Sequence, residues 1–338
     1  MKDKFGVAVW GAGWVAGEHI GAYLRNPRCE VVAIGSRRAE SAKEKMDAAG
    51  ISCSIYTDYD ELLKNERVDI VSICTPNHLH AGETVRAARA GKHMLIEKPV
   101  ALTLDDLKAM DEEVRKAGVK TVVSFVLRWN PLFMCIKGLQ KTNALGDIFM
   151  ADVDYWHSIG RWYMGYDWVT TKEKGGSVLL AAGCHAVDAI RYFVESEVTE
   201  VTAYSNNRGD YEYDGNVVAI MKFENDAIGK VSASFDLKSP YIFNIELLGE
   251  HGTIRNNQLY SKALLPGQTA YTEIPTILPD SGDVTHHPFQ GEIDHLVNCI
   301  LTDMESHCNL ADAVKTHEVC IAADISAEEG HPVRLPLL

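Results

Sequence analysis

Residues 7–17 read VAVWGAGWVAG, an apolar run that leads directly into glycines and then into a helix-like segment. Within it, Gly11, Gly13 and Ala16 match the pattern G-x-G-x-x-A. Gly11 permits a tight turn, Gly13 lets the backbone approach a pyrophosphate, and Ala16 lets the helix pack closely on the strand. The first turn of the helix adds unpaired N–H groups for the anion. The stretch predicts a dinucleotide-binding turn, the alternative being a turn that only packs.

Short β-branched runs alternate with helix-like stretches over the first 125 residues. The predicted strands contain FGVAVW, CEVVAIG, VDIVSIC, HMLIE and KTVVSFV, and the predicted helices lie at 15–25, 39–49, 79–90 and 103–117. Strands that are apolar throughout are expected where helices cover both faces of a parallel sheet. The sequence therefore predicts an α/β fold, with a doubly wound parallel sheet of the Rossmann type in a first domain at 1–126.

After residue 145 the pattern changes to longer segments in which apolar and polar residues alternate, which is typical of an antiparallel sheet with one covered face. These segments lie at 148–158, 200–206, 216–225, 228–237 and 241–254, with helix-like stretches at 177–194, 289–302 and 311–328. We predict a second, α+β domain at 127–338 on a large, mostly antiparallel sheet, whose C-terminal helix and tail are free to pack back on the first domain. The stretch 265–288 is predicted to be a long surface loop.

The charge, the cysteines and the longest apolar stretch argue against several classes of protein. Lys and Arg total 33 against 47 Asp and Glu in 338 residues, a net charge of −14, and no basic cluster is present, which disfavours nucleic acid as a partner. The eight cysteines form no C-x-x-C pair, which fits reduced, buried thiols and a cytoplasmic protein. The longest apolar stretch, 175–194, contains His185, Asp188 and Arg191, which disfavours a membrane span.

The end of the second predicted strand bears on cofactor choice. An Asp or Glu there would accept from a ribose 2′-hydroxyl, but this chain has Ser36, Arg37 and Arg38. A hydroxyl and guanidinium groups suit a 2′-phosphate, so NADP is favoured over NAD. The alternative is an arginine that stacks on adenine without selecting for the phosphate.

Two further loops follow predicted strands at the edge where ligands bind in open α/β sheets. The first contains Thr75, Pro76 and Asn77, with His80 opening the next helix. The second contains Glu97 and Lys98, whose side chains are expected on opposite faces, and then Pro99, which ends the strand and allows a bent or cis peptide. A lysine partly out of water beside an oxidised nicotinamide loses its proton more easily, so it can exchange protons with a substrate hydroxyl.

These features together resemble the Gfo/Idh/MocA family, the glucose-fructose oxidoreductase and inositol dehydrogenase group. The resemblance is carried by GAGWVAGEH at 11–19, TPNHLH at 75–80, EKP at 97–99, RWNP at 128–131 and GGSVLLAAGCHAVD at 175–188. It implies a Rossmann domain, a C-terminal domain whose open sheet holds substrate on one face, and NAD(P)-dependent oxidation or reduction of sugars and polyols. It also implies a homo-oligomer, either dimer or tetramer. By the same resemblance, Lys98 lies beside the nicotinamide and His185 exchanges the hydroxyl proton.

One departure concerns the residue four positions before His185. Many family members have Asp there, in a D-x-x-x-H pattern, whereas this chain has Ala181. Positions i and i+4 of an α-helix share a face, so the missing carboxylate would have stood beside the histidine. Asp188 is the nearest substitute, either as a substrate ligand or as the partner of Arg191 in a salt bridge.

Aromatic residues are dense between 152 and 168. Trp156, Arg161 and Trp162 are predicted to bind the faces and hydroxyls of a sugar, the alternative being burial against the sheet or a subunit contact. The sequence THHPF at 285–289 lacks partners at a metal-site spacing, so we expect a loop over the cleft or against a neighbour and no metal.

The sequence thus predicts an oxidoreductase that moves a hydride between a nicotinamide and a secondary alcohol of a sugar, glycoside or polyol, with Lys98 and His185 as catalytic residues. Two alternatives remain open: a glycosidase or lyase that uses tightly bound NAD, and a non-catalytic cofactor sensor. The expected cofactor contacts are Gly11, Gly13, Trp14, Val15, Ser36, Arg37, Arg38, Thr75, Pro76, Asn77, His80, Glu97, Lys98 and Arg128, and the expected substrate contacts are Lys98, Trp156, Arg161, Trp162, His185 and Asp188.

Overall fold

The computed structural model describes residues 4–279 and 287–338. The chain divides into two compact units. The first unit is Met1–Phe125 with Pro288–Val314, and the second unit is Val126–His287 with Lys315–Leu338.

The first unit is built on a parallel sheet with strand order β3-β2-β1-β4-β5-β6, which confirms the predicted doubly wound fold. Its strands are β1 (Phe5–Trp10), β2 (Cys29–Gly35), β3 (Ser54–Tyr56), β4 (Ile70–Ile73), β5 (His93–Ile96) and β6 (Thr121–Val123). Its helices are α1 (Ala16–Arg25), α2 (Ala39–Ala48), α3 (Tyr59–Leu63), α4 (His80–Arg89), α5 (Leu104–Ala117) and α10 (Phe289–Thr302), with a 3₁₀ turn at Asn77–Leu79.

Local sequence accounts for most of these boundaries. The side chain of Thr103 accepts a hydrogen bond from the backbone N–H of Asp106 at the start of α5, and Gly118 ends that helix at a positive φ. The sequence did not predict β3 or α3, because β3 has only three residues and none of them is fully buried. Helix α3 has five residues and buries Tyr59, Leu62 and Leu63.

The second unit is built on a sheet with strand order β14-β13-β12-β11-β7-β10-β9-β8-β15, in which only the β7–β10 pairing is parallel. This confirms the predicted, mostly antiparallel sheet. Its strands are β7 (Ile148–Trp156), β8 (Val198–Asn206), β9 (Asn216–Phe223), β10 (Ile228–Ser234), β11 (Ile242–Gly249), β12 (Gly252–Arg255), β13 (Gln258–Ser261), β14 (Thr272–Glu273) and β15 (Val333–Arg334).

Helices of the second unit cover one face of this sheet, with α9 packed on β7 and β10. They are α6 (Pro131–Lys141), α7 (Tyr166–Val169), α8 (Lys172–Gly175) and α9 (Cys184–Val194), with a 3₁₀ turn at Val126–Trp129 and a π-helical turn at Leu179–Gly183. The last helix, α11 (Leu310–Glu329), begins in the first unit and ends in the second. On the opposite face of the sheet, Tyr204 is 76% exposed and Ile220 is 59% exposed.

The unit boundaries differ from the predicted domain at 127–338, because Pro288–Val314 belongs to the first unit. Three hydrogen bonds explain the difference. The amide of Asn26 donates to Asp294 (2.7 Å), the Ser124 hydroxyl donates to Glu292 (2.9 Å), and the Leu310 N–H donates to Thr121 (2.9 Å). Helix α10 therefore covers one side of the parallel sheet, whereas Lys315–Leu338 belongs to the second unit.

All eight cysteines are free thiols, as predicted. Six are buried, Cys53 is half-buried and Cys135 is exposed. By length and composition Lys172–Val194 passes the test for a membrane-spanning helix, but 89% of its apolar window is buried inside the protein. It is therefore a core segment of the second unit, as the charged residues in it predict.

Candidate active site

The glycine turn after β1 has the geometry that a pyrophosphate needs. Gly11 has a φ of +106°, and a Cβ there would lie 2.4 Å from the carbonyl oxygen of Cys74. Gly13 is open, its nearest neighbour being the same oxygen at 3.7 Å. Val15 precedes α1 without a capping side chain, so the first N–H groups of the helix remain available to an anion. The turn fits a dinucleotide.

The end of β2 adjoins this turn. Gly35 lacks space for a side chain, because a Cβ would lie 2.2 Å from the ring of Trp10. Ser36 follows half-buried, and Arg37 and Arg38 are exposed. Within residues 4–279 and 287–338, neither guanidinium has an ion-pair partner. Both are therefore free to bind a ligand.

Glu83 of α4 fixes the loop after β4 through a hydrogen bond from Thr75. This buried carboxylate accepts hydrogen bonds from Trp10 Nε1 (2.7 Å) and from the hydroxyl of Thr75. Burial raises the pKa of Glu83, an effect that those two hydrogen bonds partly offset. Thr75 is thereby fixed at the carboxyl end of the sheet, where it and Pro76 are half-buried.

His80 was predicted to contact the cofactor, but the structure buries it with 1% of its surface exposed. Its Nδ1 lies 2.7 Å from the carbonyl oxygen of Pro99, and its Nε2 lies 2.7 Å from the carbonyl oxygen of Thr75. Both ring nitrogens are thus engaged with backbone. His80 connects the two loops and does not face a ligand itself.

The loop after β5 contains the Glu97–Lys98 pair. The peptide bond between Lys98 and Pro99 is cis, as the sequence allows. Glu97 is buried and Lys98 is partly exposed, which agrees with their predicted opposite orientations. The Oε1 of Glu97 lies 3.0 Å from Nε2 of His19, so Glu97, like Glu83, fixes its loop through a buried contact. Burial raises the pKa of Glu97, but the hydrogen bond and charge of His19 outweigh it and leave the pKa below its usual value.

A second buried carboxyl, Glu292 of α10, lies close to this pair. Its Oε1 accepts from Ser124, whereas its Oε2 has no hydrogen-bond partner among the described residues. Burial, reinforced by the charge of Glu97, raises the pKa of Glu292 to about 8. The folded protein therefore holds this carboxyl protonated at neutral pH.

We expect Glu292→Gln to remove a pH dependence of stability. The pKa of Glu292 rises from 4.5 to about 8 on folding, so its contribution is complete below pH 4.5 and is lost as the pH rises towards 8. Between those values the wild type should lose up to about 1.4 kcal/mol per pH unit relative to the variant. Denaturant unfolding at a series of pH values measures this, with exposed Glu30→Gln as the control. Parallel curves for wild type and Glu292→Gln would contradict the assignment.

In the second unit, His185 is the second residue of α9, which follows the π-helical turn directly, and it is 6% exposed. Ala181 lies inside that turn, so the predicted i, i+4 relation on a regular α-helix is wrong: a π turn holds more residues and rotates the preceding side chains. The ring of Tyr155 on β7 is stacked beside the imidazole, with centroids 5.9 Å apart and planes at 17°. An aromatic ring is therefore the neighbour of His185 from the sheet.

Asp188 pairs with Arg128, a residue that the sequence analysis assigned to the cofactor. Its carboxylate receives Nε (2.9 Å) and Nη2 (2.5 Å) of Arg128, and both residues are buried. The guanidinium of Arg128 also lies 4.8 Å from the ring centroid of Tyr192. The expected cofactor contact of Arg128 and the expected substrate contact of Asp188 are therefore not supported. Both groups are already used in a buried, bidentate ion pair.

Trp156 lies on the wrong face of the sheet for a contact beside His185. Side chains alternate along β7, so Trp156 points away from the face on which Tyr155 meets His185. Its Nε1 donates to Ser232 (2.7 Å), whose hydroxyl donates to Asp154 (2.5 Å). The sequence did not show which residues of β7 face His185, so it could not exclude Trp156.

The other predicted substrate residues lie on the loop after β7. Trp162 is 68% exposed, and the guanidinium of Arg161 lies 6.0 Å from the ring centroid of Tyr166. A second group of rings lies next to Tyr155, whose centroid is 6.3 Å from that of His157, and the sequence analysis did not list these rings as substrate contacts. His157 lies 5.7 Å from Tyr241 and 6.2 Å from Tyr163, ring centroid to ring centroid. The alternation that buries Tyr155 also places His157 on the covered face, and that pattern could have identified it.

Two family models cover most of the chain. A model described as an oxidoreductase family with an NAD-binding Rossmann fold, Gfo/Idh/MocA, matches residues 5–125. The model of the Gfo/Idh/MocA C-terminal domain matches residues 133–255. The chain belongs to the Gfo/Idh/MocA family. This confirms the resemblance seen in the sequence motifs.

Relatives within the Gfo/Idh/MocA family align over nearly the whole chain. A scyllo-inositol 2-dehydrogenase (NAD(+)) from Bacillus subtilis is 27% identical over 99% of this chain and 97% of its own length. A 1,5-anhydro-D-fructose reductase from Ensifer adhaerens is 28% identical over 95% of this chain and 87% of its own. The structure of a levoglucosan dehydrogenase in complex with NADH and levoglucosan superposes with a TM-score of 0.89 at 23% identity, covering 99% of this chain and all (100%) of that one.

The predicted absence of a metal remains a prediction. Across the part of the chain that the structure describes, no three His, Cys, Asp or Glu side chains are grouped so as to hold a metal ion. Thr285 and His286 of the THHPF stretch lie outside the described residues.

Proposed function

We propose that this protein is an NAD(P)-dependent oxidoreductase that transfers a hydride between nicotinamide and a secondary alcohol of a sugar, glycoside or polyol. The observation that carries the proposal is the position of Lys98. It follows β5 at the carboxyl edge of the parallel sheet, partly exposed, at the edge where the glycine turn presents free N–H groups. Among the residues that the structure describes, the Lys98 side chain has no ion-pair partner, so it is available to a ligand.

The chain's own residues would bind the cofactor and move a proton. The first turn of α1 binds the pyrophosphate, and the loops after β4 and β5 shape the rest of the crevice. A bound nicotinamide would supply the hydride acceptor or donor. The neutral amine of Lys98 would take the hydroxyl proton when the alcohol is oxidised, and the resulting ammonium would return it in the reverse direction. By the family resemblance, His185 would share in this proton exchange.

The substrate class rests on the relatives, whose names include an inositol, an anhydrofructose and levoglucosan. The aromatic and imidazole rings near His185 agree with it, because they offer flat faces to a sugar ring. A screen of sugars, glycosides and polyols with NAD and NADP, followed by reduced nicotinamide absorbance, tests the proposal. Turnover by no CH–OH compound would contradict it. Release of an aglycone without net reduction would support the glycosidase alternative.

For the cofactor we propose a preference for NADP, supported by the two unpaired guanidinium groups after β2. We expect Arg37→Ala and Arg38→Ala each to raise KM for NADP about tenfold or more, because charge-assisted hydrogen bonds contribute about 1.5–3 kcal/mol. KM for NAD should change little. Exposed Arg28, at the opposite end of β2, provides the control variant Arg28→Ala. Equal effects on both cofactors, or a wild type that prefers NAD, would contradict the preference.

We further propose a cytoplasmic homo-oligomer, dimer or tetramer, with the open face of the second sheet as the subunit contact. That face carries exposed apolar side chains from four strands, namely Met150, Tyr204, Val218, Ile220 and Ile228. Contiguous apolar surface of this kind is typical of subunit contacts. The free thiols agree with a reducing compartment. Light scattering of the purified protein should give at least twice the mass of 37.4 kDa, and a monomer would contradict the proposal.

A further inference from the structure

Lys98 lies between two residues that are each held by a buried imidazole. Glu97, which precedes it, meets His19, and Pro99, which follows it, meets His80. The two histidines come from different helices, His19 from α1 and His80 from α4. Both are essentially inaccessible to solvent, at 0% and 1% exposure.

The contact on the Glu97 side links helix α1 to two neighbouring strands of the sheet, β4 and β5. His19 Nε2 lies 3.0 Å from Glu97 Oε1, and His19 Nδ1 lies 2.7 Å from the hydroxyl of Ser72 on β4. The ring also packs 4.9 Å from that of Phe289, centroid to centroid. The other oxygen of Glu97 accepts from the backbone N–H of Lys98 (3.3 Å). Through this carboxylate, His19 restrains the backbone at the amino side of the lysine.

The contact on the Pro99 side is made to backbone alone. Each ring nitrogen of His80 lies 2.7 Å from a carbonyl oxygen, Nδ1 from that of Pro99 and Nε2 from that of Thr75, and the tautomer decides which of the two oxygens accepts the N–H. Thr75 is itself fixed through Glu83 and Trp10. The carboxyl side of Lys98 is therefore tied through His80 to the loop after β4, which the proposed function places against the cofactor.

We propose that His19 and His80 are positioning residues for Lys98, fixing the residues on either side of it so that its amino group meets the substrate hydroxyl in one orientation. This inference rests on the proposed function, in which Lys98 exchanges the hydroxyl proton. Misplacement of a reacting group by about 1 Å can cost about a hundredfold in rate, so loosening either support should lower the rate of the chemical step.

Double-mutant cycles test the proposal. We expect His19→Gln and His80→Gln each to lower the single-turnover rate about 10- to 100-fold in the wild-type background. In the Lys98→Met background the same changes should alter the residual rate less than threefold, because there is no amino group left to position. The dissociation constant for reduced cofactor, measured by fluorescence, should stay within threefold throughout. The matched control is His78→Gln, which changes an exposed histidine in the loop after β4 and should behave as wild type.

The outcomes separate this inference from the proposed function. Equal losses of rate in both backgrounds would show that the imidazoles act on the whole site and would overturn the inference, as would wild-type rates for both variants. If neither histidine variant folds, the role is one of stability and the inference also fails. If one folds, its cycle tests that support independently, since the other lies on a different helix. A Lys98→Met enzyme with undiminished turnover would instead overturn the proposed function.

Discussion

Lys98→Met is expected to lower kcat by about three orders of magnitude, within the range of about 10²–10⁴ that general acid–base catalysis contributes. Methionine has similar length and no proton to exchange, so the loss reports the amino group and not the volume of the side chain. Because Glu97 and Pro99 are held by groups other than the lysine side chain, the loop should keep its shape. Steady-state kinetics on the best sugar found in the screen, with fluorescence titration of reduced cofactor, measure the two effects separately.

The control is Lys108→Met, which changes an exposed lysine on α5. It should leave both kcat and cofactor affinity unchanged. If Lys98→Met weakened cofactor binding a hundredfold with kcat intact, the lysine would be a binding group only, and the proposed proton transfer would be wrong.

Breaking the buried ion pair of Arg128 and Asp188 is expected to destabilise the protein by about 3–5 kcal/mol, because either single change leaves an unpaired charge out of water. For Asp188→Leu this corresponds to a fall in melting temperature of about 10 °C. The double variant Arg128→Met with Asp188→Leu removes both charges and should recover most of the loss. Thermal unfolding followed by circular dichroism, supported by denaturant titration, measures all three proteins.

An exposed ion pair on helix α2 provides the comparison. Lys43 and Asp47 lie four residues apart with the lysine side chain 60% exposed, so Lys43→Met should change stability by less than about 1 kcal/mol. Similar small changes for Asp188→Leu would show that the buried pair contributes little. A double variant no more stable than the single ones would show that packing, and not charge, is responsible.

The fold was largely predictable because buried strands differ from helices in sequence. Short runs rich in β-branched residues, such as CEVVAIG, indicate strands in a sheet covered on both faces, and the alternation from residue 216 onwards indicates a half-covered sheet. Short elements escaped prediction. A three-residue strand such as Ser54–Tyr56 has too few residues to show a period, and its position is set by pairing with β2.

The site was predictable where position along a strand determines function, and not where tertiary partners do. Lys98 could be placed at the sheet edge from its motif alone. Nothing local shows that His80 points inwards to two carbonyl oxygens, or that Asp188 meets an arginine 60 positions away. The sequence also did not show on which face of the sheet Trp156 lies. Neighbouring residues of a strand point to opposite faces, so a shift of one residue in register exchanges them.

The π-helical turn at Leu179–Gly183 has a consequence for comparing this chain with its relatives. A residue in an α-helix advances by about 100°, so one additional residue in a wide turn rotates everything before it by roughly that angle relative to His185. Counting four places back from the histidine along the chain, to Ala181, therefore does not reach the side chain one regular helical turn away. Superposed coordinates, and not sequence spacing, identify which group in this protein faces the imidazole from the preceding turn.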